Sequence, residues 1–121
     1  MFSGVLIAES LRSGTTLDRL SIVVRRIRRV SQPDATADQP STWTLIEFEL
    51  DGADGDAFAQ TLAASLDAPG WYADFRSATD SFVVFPNRVF RYARGDAAAR
   101  SEAAAFGRSL GIPESQLDWP V

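Results

Sequence analysis

Three side chains that could bind a ligand or move a proton recur at every second position in the middle of the chain. They are Tyr72, Asp74 and Arg76, within the segment Trp71–Arg76. Apolar and polar residues alternate there, which predicts a β-strand, and a strand directs residues two apart to the same face. A phenol, a carboxylate and a guanidinium on one surface can clamp a small anionic ligand and transfer a proton.

Neighbouring predicted strands supply further charged side chains that could join this group. Arg91 and Arg94 follow a Pro-Asn turn, and Glu47 and Glu49 alternate along an earlier strand. A ladder of Asp–Arg pairs on a solvent-facing sheet would place the same residues together and would require no function. The candidate catalytic residues are therefore Asp74, Arg76, Tyr72 and Arg91.

The composition excludes several kinds of chemistry. The chain has no histidine and no cysteine, and all twelve basic residues are arginine. Thiol and histidine catalysis, thiolate metal sites, disulfides and lysine Schiff bases are therefore excluded. We expect no cofactor and no bound metal ion.

The charge balance and the absence of long apolar runs bear on location and partners. The net charge of −4 argues against non-specific binding to nucleic acid or to an anionic membrane. No run approaches the roughly 18 apolar residues of a membrane helix, and the first residues lack the basic start of a signal peptide. We therefore expect a cytoplasmic protein that does not bind membranes.

The densest cluster of positive charge lies in the segment Leu20–Val30, LSIVVRRIRRV. It could form an anion or nucleic-acid site, but the chain is acidic overall and the cluster has no aromatic residues between its arginines for base stacking. The favoured interpretation is a hairpin in which Arg26 or Arg28 faces Glu47 or Glu49. Nucleic-acid binding is thus not expected.

Hydrophobic periodicity divides the chain into six strands and two helices. The order βββα-βββα predicts an α+β fold, with an antiparallel or mixed sheet of about five to six strands and both helices packed on one face. Residues 1–121 are expected to form a single domain with a flexible loop over 31–42. The predicted strands are Val5–Leu11, Leu20–Val30, Trp43–Leu50, Trp71–Arg76, Phe82–Phe85 and Val89–Arg94, and the helices begin near Asp54 and Asp96.

The run Phe82–Phe85 is apolar at every position, so both faces of its strand need covering. With both helices on one face, either the N-terminal strands or a second copy of the protein would cover the other. The sequence thus favours a binding or interaction module that self-associates through the helix-free face. The alternative is a small enzyme or a small-anion-binding protein that uses an Asp/Arg/Tyr site on the sheet.

Several segments of the chain are similar to those of a known group of proteins. The segments GWYADFR, SFVVFPNRVFRYARGD and SLGIPESQLDW resemble a group of small uncharacterised proteins from actinobacteria. These proteins share the arrangement from about Gly4 to Trp119. The resemblance implies a compact cytoplasmic domain, and it implies no catalytic residue, ligand or partner.

Overall fold

The computed structural model describes every residue from Met1 to Val121. Its central element is an antiparallel sheet of six strands. The strands are β1 (Phe2–Ile7), β2 (Val23–Ser31), β3 (Thr42–Leu50), β4 (Ala73–Arg76), β5 (Asp80–Phe85) and β6 (Arg88–Ala93). The helices are α1 (Gly55–Ser65) and α2 (Ala97–Ser109). This order confirms the predicted α+β fold with the βββα-βββα arrangement.

The first strand joins the two halves of the sheet. The strand order is β2-β3-β1-β4-β5-β6, and every neighbouring pair is antiparallel, so the sheet is not mixed. Gly4, in the middle of β1, lies against β4. A Cβ at Gly4 would lie 2.6 Å from the carbonyl oxygen of Asp74, so only glycine lets the two backbones approach this closely.

One face of the sheet, the α1 face, carries the larger part of the core. Helix α1 contributes Phe58 and Leu62, which are almost fully buried. From the sheet, Phe75 and Phe82 stack with their ring centroids 4.7 Å apart. Phe2, Leu6, Phe48, Leu50 and Val84 also belong to this core.

The opposite face, the α2 face, is covered by α2 and by the C-terminal tail, residues 112–121. Val83 and Phe85 of β5 point to this side and pack with Ala103, Leu117 and Trp119, among others. The prediction that both helices lie on one face is therefore wrong. The physical reason is the run Phe82–Phe85 of β5, which is apolar at every position and needs cover on both faces. Each helix supplies that cover on one face.

The C-terminal tail and the loop over residues 32–41 are tied together by a buried pair of amides. The Gln116 Nε2 atom donates to Gln39 Oε1 at 2.9 Å and to the carbonyl oxygen of Asp34 at 2.9 Å. The Gln39 Nε2 atom donates to the carbonyl oxygen of Gly70, just before β4, at 3.0 Å. Because both glutamines are buried and bonded, these contacts hold the loop against the tail.

Candidate functional site

A groove lies on the α2 face, above β3, β1 and β4, where no helix covers the sheet. Residues 115–120 of the C-terminal tail form one wall of the groove. It consists of an outer chamber of about 490 Å³ and an inner chamber of about 340 Å³. Val5, Asp74 and Asp118 line both chambers, so the two form one continuous site.

The outer chamber is polar and carries charges of both signs. Its basic side chains are Arg25 and Arg76, and its own acidic ones are Glu47 and Glu49. The Arg25 guanidinium forms an ion pair with Glu49, while Glu47 accepts from Arg26 Nε at 2.6 Å. These exposed pairs close the side of the groove toward β2.

The pKa of Glu47 is lowered, first by its hydrogen bond with Arg26 and also by the positive charges of Arg26 and Arg28. Desolvation acts in the opposite direction but does not outweigh them. Glu47 therefore stays ionised at neutral pH. The predicted facing of Arg26 and Arg28 toward Glu47 across a hairpin is confirmed, because Arg28 Nε also lies 3.2 Å from Glu47 Oε2.

The inner chamber combines apolar walls with carboxylates. The acidic residues that line it are Asp74 of β4, Asp118 of the tail and Asp34 of the loop between β2 and β3. No basic side chain lines this chamber. Its apolar and aromatic lining consists of Val5, Ile7, Trp43, Leu45, Trp71, Tyr72 and Ala73.

Asp74 lies where the two chambers meet and is only weakly paired. Its Oδ2 atom is 3.6 Å from Arg76 Nη1, and 29 % of its side chain is exposed. Burial raises its pKa to about 6, with the Asp118 charge acting in the same direction and Arg76 opposing them. Asp74 is thus a carboxylate that lacks full compensation for its negative charge.

Tyr72 is fixed between the sheet and the tail. Its hydroxyl donates to the carbonyl oxygen of Gln116 and lies 3.3 Å from Asp118 Oδ1. Burial raises the Tyr72 pKa far above its usual value, and the negative charges of Asp74 and Asp118 raise it further. Tyr72 therefore remains a neutral hydrogen-bond donor and does not act as a base.

The structure brings three of the four residues proposed from the sequence together. Tyr72 lines the inner chamber, Arg76 the outer chamber and Asp74 both. The prediction that Arg91 shares this surface is wrong. Arg91 pairs with Phe82 across β5 and β6, which turns it to the α1 face, where it donates to Asp56 Oδ2 at 2.7 Å.

Arg94, the other arginine of the hairpin, also stays out of the groove. Its Nη1 atom donates to the carbonyl oxygen of Ser77 at 2.8 Å.

Sequence reasoning missed Asp34 and Asp118, which come from a loop and from the tail. The motif Leu117-Asp118-Trp119 alternates buried and exposed residues and so signals an outward carboxylate, but it does not show which strand that carboxylate faces.

No protein-family model, no curated protein and no solved structure matches the chain. The resemblance to the actinobacterial group therefore stays a prediction.

No three acidic side chains are grouped in a way that could hold a metal ion. None of the helices has the length and apolar character needed to cross a membrane.

Proposed function

We propose that the protein is a binding module whose groove receives a positively charged group, a guanidinium or an ammonium, carried on an extended or apolar segment. One observation carries this proposal: three acidic residues, Asp34, Asp74 and Asp118, and no basic residue line the inner chamber. A cation there would gain Coulomb energy in a partly desolvated site, where such interactions are stronger than in water.

The character of the groove walls supports a cation with an apolar stem. Trp43, Trp71 and Tyr72 line the inner chamber, and aromatic faces attract guanidinium and ammonium groups. The raised pKa of Asp74 also fits, because a bound cation would supply the charge compensation that the free site lacks.

A small anion is a poorer occupant than the sequence suggested. Across both chambers the groove has five carboxylates and two guanidinium groups, Arg25 and Arg76. Each of those arginines lies within 4 Å of a carboxylate, Glu49 or Asp74, and the carboxylates outnumber the guanidinium groups, so the charge of the groove disfavours an anion. In an enzyme built on this groove, Asp74 would be the acid–base group, since Tyr72 stays protonated.

Self-association is the second candidate, and the arginine-rich strand β2 favours it. The side chains of Arg25 and Arg26 are 61 % and 60 % exposed. The guanidinium groups of one copy could therefore enter the acidic groove of another copy. Light scattering at several protein and salt concentrations tests this: a salt-sensitive dimer supports it, and a monomer throughout contradicts it. The cytoplasmic location stays a prediction.

The experiment for the main proposal compares two probes that differ in one charge. The arginine probe is the tripeptide Val-Arg-Val with acetyl and amide ends, and the citrulline probe replaces arginine with its neutral isostere. In NMR titrations we expect the arginine probe to bind about tenfold more tightly, because only its side chain is charged. Its shifts should map to the groove.

Matched variants localise the effect. Asp74→Asn and Asp118→Asn should each weaken binding of the arginine probe about tenfold, whereas Glu102→Gln, which removes a charge from the exposed side of α2, should not. Equal binding of both probes, or an equal loss with Glu102→Gln, would show that the groove does not select a cation.

A further inference from the structure

Strand β2 is one of the two edges of the sheet, and its outer edge has no partner strand. It pairs only with β3, in a regular register from Arg26↔Glu47 to Ser31↔Thr42. A bulge between Val24 and Arg26 interrupts the ladder before that point. Residues 26–31 therefore present a straight edge of about 20 Å with free backbone donors and acceptors.

Strand β2 exposes three apolar side chains, Ile27 within this edge and Val23 and Val24 before the bulge. Ile27 is 62 % exposed, and Val23 and Val24 are 50 % and 47 % exposed. Val24 and Ile27 lie opposite Phe48 and Ile46 and so point to the α1 face, beyond the part of it that α1 covers. Ile27 is thus an apolar side chain of the edge that stays exposed.

The same edge is positively charged on an acidic protein. Strand β2 has four arginines, and the ion pairs of Arg25, Arg26 and Arg28 involve only two glutamates, Glu47 and Glu49. Arg29, which points to the α1 face opposite Thr44, makes no ion pair within 4 Å. Because the net charge of the protein is −4, the negative charge lies mainly outside β2.

This charge pattern disfavours pairing of the edge with a second copy of itself. An antiparallel pair centred on Ile27 would place Arg26 opposite Arg28 and Arg25 opposite Arg29. A parallel pair in register would place each arginine opposite its own copy. Like charges directly opposite each other destabilise a sheet. The edge is therefore protected against self-pairing, yet it remains attractive to a strand of opposite charge.

We propose that the free edge of β2, at residues 26–31, binds an extended acidic segment of a partner protein as a seventh strand. Backbone hydrogen bonds would supply the pairing, and alternate side chains the specificity. Acidic residues of the partner lie against Arg26 and Arg28 on the α2 face, because these two guanidinium groups share the single carboxylate of Glu47. An apolar residue of the partner, between its acidic residues in sequence, packs beside Ile27. The partner segment therefore alternates acidic and apolar residues. This surface is separate from the groove, since neither chamber includes residues 26–31.

Three synthetic peptides test this proposal. The acidic probe is Glu-Ile-Glu-Val-Glu-Ile-Glu with acetyl and amide ends; one control has lysine in place of glutamate, and another is the acidic probe with alternate backbone amides methylated. We expect the acidic probe to bind and to shift the amide resonances of residues 26–31. Methylation should weaken binding about tenfold, because it removes donors needed for strand pairing, and the lysine peptide should not bind.

The other edge strand offers a matched protein control. Arg26→Gln with Arg28→Gln should weaken binding of the acidic probe about tenfold, whereas Arg88→Gln with Arg91→Gln, on β6, should leave it unchanged. Both pairs are exposed, and circular dichroism checks that the variants fold. If the β2 variant does not fold, the three peptides decide alone.

Four results would overturn the proposal. They are absence of binding by the acidic probe at about 1 mM, equal binding of the methylated probe, shifts that map away from β2, and a loss confined to the β6 variant.

Discussion

Replacing Trp119 with alanine is expected to lower the free energy of unfolding by about 4 kcal/mol, the typical cost of truncating a buried tryptophan. Trp119 is almost fully buried, and its ring lies 5.1 Å from that of Tyr72 between centroids. Its Nε1 atom donates to the Tyr92 hydroxyl at 2.8 Å, and Arg100 Nη2 donates to its carbonyl oxygen at 2.9 Å. The substitution removes the main contact that holds the tail against the sheet.

Urea denaturation measures this effect, and Trp119→Phe is the matched control. Phenylalanine keeps most of the packing but loses the bond to Tyr92, so a cost of about 1 kcal/mol is expected. Trp119→Ala should also weaken binding of the arginine probe, because the tail forms a wall of the groove. A loss of stability below about 1 kcal/mol for Trp119→Ala would show that the tail is not part of the core.

Replacing Asp74 with asparagine is expected to stabilise the protein by about 2 kcal/mol at about pH 8 and to have little effect at about pH 4. Burial raises the Asp74 pKa from its ordinary value of 3.8 to about 6. A displacement of this size corresponds to at most about 3 kcal/mol, and the partial exposure of the side chain reduces it. Asparagine has similar shape and carries no charge, so it removes the penalty.

The direction of the pH dependence follows from where the proton binds. Between about pH 4 and about pH 6, the folded protein keeps the Asp74 proton that the unfolded chain has already lost. The wild-type protein therefore loses stability as the pH rises through this range, relative to Asp74→Asn. Thermal unfolding of both proteins across this range measures the difference, with Glu102→Gln as the exposed control. A destabilised Asp74→Asn protein at about pH 8 would mean that the charge of Asp74 is compensated by structure.

The sequence predicted the elements and their order well because their signals are local. The alternation Ile46, Phe48 and Leu50 marks a half-buried strand, and Asp96 caps α2 as expected, accepting from the Ala99 amide at 3.0 Å. Boundaries shifted by a few residues where no local signal fixes them. The first strand begins at Phe2, and Leu11, expected within it, instead forms an isolated bridge with Leu66.

The sequence could not predict which face each helix covers, because that depends on strand order. The run Phe82–Phe85 showed that both faces need covering, but assigning the second face to α2 requires knowing that α2 and the C-terminal tail both pack on Val83 and Phe85. The wrong prediction for Arg91 also arose because strand pairing was not known. Its face follows from the register Phe75↔Phe82↔Arg91 across β4, β5 and β6, which no single strand reveals.

The candidate groove was only half predictable, for a related reason. Tyr72, Asp74 and Arg76 share a face through the two-residue repeat of one strand, so their grouping was visible in the sequence. Asp118 reaches the same place from the end of the chain, held by Trp119 and by the Gln39–Gln116 amide pair. Contacts of that sequence separation leave no periodic pattern, and without Asp118 and Asp34 the site looked suited to an anion.

The pH titration of the Asp74 carboxyl group by NMR, with and without the arginine probe, tests the cation-binding groove most directly. In the free protein we predict a pKa of about 6. With saturating arginine probe the pKa should fall by about 1 or more, because a nearby positive charge favours the ionised carboxyl group, and the citrulline probe should leave it unchanged. A pKa that neither probe alters would contradict a cation site at Asp74.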